Sequence, residues 1–478
     1  MSGTELVRVR RHFLVLAGLR WFPVGLVIPV LVLLLRARDL DLTTIAVLMS
    51  AYSITTALCE LPTGGLADVI GRRPVLVAAS LLFAGQSALL GLGQSLPVLA
   101  LGAVVGGVGR ALDSGPLHAW YVDAVHAVDP DTDLKPGLAR AEAVEAGALA
   151  IGALAGGAVV TVVPLDPSGA AVISLSVPLL ASTGLCLVHT IALLCWVHEP
   201  ARRRRPSLRS VLTDVPWTIR TGVALVARPG ALRRVVVLTV CLGVTLGSVE
   251  LIAPVSFAHL LGGEDAAAGP FSVLVTLAFF GTAAGSSLAP GIARLVHSSA
   301  RGIMAARLCA GVAVVGLAAP SIAVAAGAYV VLYLFLGVSG PLSADITHRS
   351  VGAEHRATIL SVQSLTLQLS GVTAALTLGP LAQHVSFLTA YVIVGAVLVL
   401  GASACIRMPA PAPHGDRRSS QAGEPHPHHD AHPAQLGRVD DAGHVTGRVV
   451  PRVGNASDPC RRDAGLLERP VIARAVVL

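Results

Sequence analysis

Four ionisable side chains, Arg20, Arg110, Asp113 and Glu250, interrupt long apolar runs of the chain. A guanidinium at the centre of a hydrocarbon layer costs at least about 2.5 kcal/mol on insertion scales, so each arginine must face protein or water. Glu250 stands in LGVTLGSVELIAPV with no cation near it in sequence. An acid so placed can take up a proton and release it as water access changes. Asp113 follows Arg110 by three positions, which puts both on one helix face and lets the acid neutralise the base. Such a pair could bind an anion or another substrate, or take part in proton coupling; it could also be a buried structural pair. Arg20, beside Trp21, is expected to snorkel to the interface and is a weaker substrate candidate. His118, Gln363 and Gln368 could line a cavity or simply hydrogen-bond between helices. Glu142 and Glu145, near one end of an apolar run, are expected to be solvated, and Asp345 reads as a loop-end polar residue.

A second constellation is the stretch LPTGGLADVIGRRPVL from Leu61 to Leu76. Gly64, Gly65 and Gly71 allow backbone conformations and close approaches that a Cβ would block. Asp68, Arg72 and Arg73 are costly anywhere except the membrane surface, and Pro74 suits the first turn of a new helix. The stretch therefore reads as a tight, charged turn between two spans.

The elements that must position these residues are set by composition. Of 478 residues, 54% are hydrophobic and 13% charged, against about 25% charged in soluble domains. The mean hydropathy is +0.73, and an integral membrane protein follows. Aromatic residues make up only 4%, so helix contacts fall to Ala, Val, Leu and the 49 glycines, which suits close packing in lipid. About twelve apolar runs have the roughly 20-residue length that crosses a bilayer. They cover 13 to 35, 43 to 66, 75 to 95, 97 to 127, 138 to 164 and 170 to 198, then 233 to 261, 269 to 296, 302 to 319, 321 to 347, 357 to 383 and 386 to 407. The first is too long for a signal-peptide core and is expected to remain as a span.

Two bundles follow, residues 1-198 and 233-407, joined by a basic linker at 199-232. Residues 408-478 lack apolar periodicity and are expected to be a disordered tail. Arginine and lysine fall in alternate connections, so those connections and both termini are expected on the cytoplasmic side of the cell membrane. The linker's basic run could also meet anionic lipid. The net charge of +7 is scattered through loops and tail without aromatic interleaving, which argues against nucleic acid as a partner. Cys59, Cys186, Cys195, Cys241, Cys309 and Cys405 lie in apolar runs without metal or disulfide spacing and read as small core residues. HPHHDAHP, from His426 to Pro433, is a weak compositional signal for metal, so no metal or cofactor is expected.

The spacing Gly64-x-x-x-Asp68-x-x-Gly71-Arg72-Arg73 resembles the loop between the second and third helices of major facilitator superfamily (MFS) transporters. ELPTG from Glu60 to Gly64, GRALDSGPLHAWYVD from Gly109 to Asp123, and RATILSVQSL from Arg356 to Leu365 resemble one branch of its efflux permeases. The resemblance implies an all-α MFS fold of twelve spans in two six-helix bundles about a pseudo-two-fold axis. It further implies a cytoplasmic latch, with Arg72 pairing to Asp123, Asp68 facing the start of the eleventh span, and Arg73 orienting helix ends. Such a latch favours an outward-open state. The segment Gly147 to Gly157 has the glycines of the exporters' fifth-helix motif but no proline, and PGIARLVHSSARG keeps Arg294 and Arg301 without the acid of a second latch. The function implied is secondary transport of small organic molecules, proton-coupled and outward, by a monomer in the bilayer; uptake or uniport on the same fold is the alternative. A nucleotide-binding loop and HExxH or GxSxG motifs are missing, which argues against a pump, an enzyme or, by the family resemblance, a non-transporting receptor.

Overall fold

The computed structural model describes residues 2–63, 66–165, 172–199, 230–351 and 356–406. The side chains of Ser2, Leu61, Pro62, Asp68, Arg356 and Ala357 also fall outside the described set. So do Gly64, Gly65, most of the 199-232 linker and the 408-478 tail with its histidines.

Fifteen α-helices lie among the described residues: α1 Ser2–Val27, α2 Leu31–Ala37, α3 Leu42–Thr63, α4 Leu66–Ile70, α5 Arg72–Leu92, α6 Leu96–Leu112, α7 Pro116–Val128, α8 Lys135–Val162 and α9 Val177–Trp196. The second set is α10 Ala231–Leu261, α11 Glu264–Leu295, α12 Ser299–Gly316, α13 Ile322–Ser350, α14 Arg356–His384 and α15 Phe387–Ala402. No strand occurs among the described residues. Lipid offers backbone groups no hydrogen bonds, so an apolar run must satisfy its own as helix. Twelve spans of sufficient length and hydropathy result among the described residues, the number that the sequence predicts.

Two spans are broken, each at a proline. After α1 the helix yields over residues 28–30, where Pro29 lacks an N–H and its ring meets the carbonyl one turn back. Between α6 and α7 the backbone turns at Gly115, with φ +127°, and Pro116 starts the new helix in its preferred first position. The second break leaves Asp113 at a helix end in the middle of a span.

Pairing repeats six spans on. In the first half α1 packs on α8, α3 on α6, and α5 on α6 and α9; in the second α10 packs on α14, α11 on α13, and α12 on α13 and α15. Between halves, α8 packs on α11 and α3 on α14. These relations map onto one another under a two-fold axis, the signature of a repeated bundle.

Glycine permits the tightest crossings. A Cβ at Gly25 of α1 would lie 2.5 Å from the Leu149 carbonyl oxygen of α8, and one at Gly247 of α10 would lie 2.5 Å from that of Gly371 in α14. The core is continuous across both halves toward the face that holds α2 and the start of α3, joining Leu33 and Leu35 to Ile252 and Phe271. Toward the face carrying Arg72 and Lys135, separate clusters form. One surrounds Phe13, Trp120 and Tyr121 in the first half, the other Leu238, Ile303 and Leu342 in the second.

Candidate functional site

A central cavity lies between the halves, enclosing about 170 Å³ that water-sized molecules can occupy. The first half contributes Arg20, Tyr52 and Arg110 to its wall; the second contributes Glu250, Tyr329 and Tyr333. The cations therefore stand on one side and the carboxyl on the other. Pro254, one turn beyond Glu250, also reaches the wall. The rest is largely aliphatic and aromatic, as expected of a small-molecule site that orients its ligand with few polar groups.

Both carboxyl oxygens of Glu250 are buried with no hydrogen-bond partner among the described residues. No ion pair to Glu250 occurs among the described residues. The Ser256 and Tyr391 hydroxyls bond to each other at 3.1 Å.

The pairing expected between Arg110 and Asp113 gives way to another. Asp113 Oδ2 accepts from Arg20 Nε at 2.6 Å, across 93 positions of sequence. Asp113 ends α6 with its amide still bonded to the Gly109 carbonyl at 3.1 Å, and its carboxylate is taken by the guanidinium that α1 brings up to it. Arg20 accordingly does not snorkel outward: its side chain is 6% exposed, and its guanidinium lies 3.9 Å from the Phe83 ring centroid and 5.0 Å from that of Trp21. An ion pair supplemented by two aromatic faces makes burial the better state. Arg110 is left lining the cavity with no ion pair to it among the described residues.

At the charged turn, Arg72 Nη1 lies 2.7 Å from Asp123 Oδ2, with side chains 12% and 36% exposed. Gly71 precedes it at φ +108°, and a Cβ there would stand 2.7 Å from Glu199 Oε2, so only glycine admits both the turn and the acid. Arg73 donates its amide to Glu199 and its guanidinium to the Leu194 carbonyl, tying the start of α5 to the end of α9. Asp68 is helical in α4, but its side chain, like Gly64 and Gly65, lies outside the described residues.

Other expectations shift. Glu145 is not simply solvated: at 12% exposure it sits 3.4 Å from His118 Nε2. Gln363 donates to Thr347, and Gln368 donates to Glu60 at 3.0 Å. Glu60 also accepts from Ser364, so its carboxylate bridges α3 of the first half to α14 of the second. Asp345 pairs with Arg349 at 2.7 Å near a helix end.

On the opposite face the halves also touch through polar groups. Arg36 approaches Glu264 at 3.9 Å, and Gln383 Oε1 accepts from the Leu42 amide at 2.7 Å. Asp41, just before α3, accepts from the Thr44 hydroxyl and amide, which hold its carboxyl below the usual range.

Sequence reasoning missed Glu60, Arg38, His189 and Arg307. Arg38 caps the end of α5 through the Leu90 and Gly91 carbonyls, and buried His189 meets Ser80 at 3.1 Å. Arg307 interrupts an apolar run just as Arg110 does, so the same rule would have found it.

A repeated bundle of twelve membrane-length helices among the described residues, enclosing a largely apolar cavity with a few ionisable groups at the junction of its halves, defines a secondary transporter. The chain belongs to the Major Facilitator Superfamily, whose family model matches residues 13–375. Among solved structures it is similar to nucleoside transporter NupG, at 11% identity and TM-score 0.66, covering 83% of this chain and 98% of that one. It is similar also to a D-xylose-proton symporter, at 16% identity and TM-score 0.66, covering 84% and 98%. A third is a POT family transporter in complex with a thioalcohol-conjugated peptide, at 14% identity and TM-score 0.61, covering 82% and 95%. No curated protein matches the chain.

Proposed function

We propose that this transporter moves small organic molecules out of the cell in exchange for protons, with Glu250 as the proton carrier. The observation that carries the reading is the Glu250 carboxyl, buried on the cavity wall with both oxygens unpartnered among the described residues. A charge there without donor or cation is costly, so the acid is neutral when sealed from water and ionises only where water reaches it. Alternating access converts that difference into proton movement. Arg110, across the same cavity, is the group that couples substrate to the proton state.

The arginine-bearing connections support a cytoplasmic placement of both ends of the chain, in the cell membrane. With that orientation the continuous core closes the outer side, and the separate clusters lie inward. The 1-198 and 233-407 bundles then rock about the cavity, and Arg72 with Asp123 acts as a latch within the first. The chain acts as a monomer in this scheme. Outward direction rests on the ELPTG and fourth-span resemblances.

The test uses proteoliposomes with an imposed pH gradient and a panel of dyes, antibiotics and sugars. The protein should acidify the lumen of the compartment that releases substrate, and Glu250→Gln should abolish gradient-driven flux while leaving substrate exchange. Unchanged pH dependence in Glu250→Gln removes Glu250 from the mechanism, and co-directional movement of proton and substrate overturns exchange.

A further inference from the structure

Groups of opposite charge share the transport cavity without touching. Arg110 of α6 and Glu250 of α10 both stand on its wall, and neither makes an ion pair among the described residues. The Tyr52 hydroxyl of α3, also on the wall, feels both charges, so the two lie around one space. Arg110 is half-buried, and both Glu250 oxygens are buried without a hydrogen-bond partner among the described residues. The wall's other charged side chain, Arg20, is already neutralised by Asp113 at 2.6 Å.

Charge decides what fits between them. In a sealed cavity of low dielectric an uncompensated ion is costly, so the loaded site must sum to neutrality. A neutral ligand leaves the ions bare. A cation leaves an excess positive charge beside Arg110 even with Glu250 ionised. An anion balances Arg110 only while Glu250 keeps its proton, so it would travel with the proton and not against it. A zwitterion closes the count with Glu250 ionised: the Glu250 O–H bond breaks as its proton passes to water, and the ligand's ammonium donates to the carboxylate left behind while its anionic end accepts from Arg110. Shape narrows the choice further. The chain has nine phenylalanines and five tyrosines. Three of each, Phe83, Phe271 and Phe279 with Tyr52, Tyr329 and Tyr333, stand on this wall, so the body between the charged ends is aromatic.

We propose that the substrate is a small aromatic zwitterion, held by its anionic end on Arg110 and by its ammonium on Glu250. The proposal rests on Glu250 carrying the proton, and it gives the reason substrate and proton exclude each other: both need the same carboxylate. Glu250 is the only carboxylate on the wall among the described residues. The other titratable groups there are Arg20 of α1, Tyr52 of α3, Arg110 of α6, Cys186 of α9, and Tyr329 and Tyr333 of α13, while α2, α11 and α14 bring none to it. Tyr391 of α15, which packs on α10, is engaged by Ser256.

Binding to the purified full chain in neutral detergent is measured by titration calorimetry with two charge series, each on a fixed body: phenylalanine, phenethylamine and hydrocinnamate, then tryptophan, tryptamine and indolepropionate. In at least one series the amino acid should bind about tenfold more tightly than the compound lacking either charged end, and buffers of different ionisation enthalpy should show that its binding releases a proton. Arg110→Gln should weaken the amino acid to the level of the amine, and Glu250→Gln should weaken it to the level of the acid and abolish proton release. If either variant does not fold, the wild-type ranking decides alone. An amine or acid that matches its amino acid in both series, or no binding in either, overturns the proposal. The two readings fail separately: the expected ranking without proton release supports the zwitterion site and removes proton exchange, whereas Glu250-dependent flux of other compounds without the ranking leaves exchange standing and overturns the zwitterion.

Discussion

Replacing Asp113 by Asn would leave Arg20 as a buried cation facing a neutral amide, and the cost can be worked from the geometry. Nε and Oδ2 are 2.6 Å apart, and the two side chains are 6% and 10% exposed, so neither ion can recover its hydration when the other is lost. At an effective dielectric near 20, unit charges about 4 Å apart attract by about 4 kcal/mol. Breaking a buried pair from one side costs about 3–5 kcal/mol for the same reason. Asp113→Asn and Arg20→Met should each lower stability by that amount, measured by reversible unfolding of the purified protein in mixed micelles. The double variant should cost less than either single one, because removing both ions removes the desolvation penalty together with the attraction. Single effects that sum to the double effect within about 0.5 kcal/mol would refute the coupling, and with it the assignment of Asp113 to Arg20 instead of Arg110.

Gly247→Ala should destabilise the α10–α14 crossing by about 1–3 kcal/mol, since the added methyl meets backbone 2.5 Å away. Gly184→Ala, whose methyl meets nothing within 4 Å inside α9, should be neutral or stabilising in the same unfolding assay. Arg72→Ala should leave the protein in the membrane yet shift the balance between its two access states about fivefold, read as slowed transport; wild-type rates would remove the latch role. Asp41 has its carboxyl depressed in the folded state by Thr44, so it stabilises above its ordinary range and that contribution is lost as pH falls through the depressed one. Asp41→Ala should therefore cost about 1 kcal/mol at neutral pH and progressively less in strong acid, as seen by unfolding at several pH values.

Of the candidate site, Glu250 and the Arg72–Asp123 pair were legible in advance, for different reasons. Glu250 needed only the hydropathy of its surroundings, while Arg72 and Asp123 came from a motif. Glu60 was not legible as a bridge, because its partners Ser364 and Gln368 lie 304 and 308 positions away. Nothing in a polar residue's own neighbourhood says which distant helix it will face. Arg20 illustrates the same point: its local context, beside Trp21, argued for the interface, and Asp113 overruled it.

The amino-acid order alone determines twelve membrane-length helical spans among the described residues, because in hydrocarbon every backbone group must be satisfied within its own helix. That requirement is local, and hydropathy with Pro and Gly placement is enough to express it. Helix rotation and partner choice depend on side-chain packing between segments far apart in sequence, so only the tertiary structure turns Asp113 from Arg110 to Arg20. It also leaves Glu250 facing an arginine across a shared cavity.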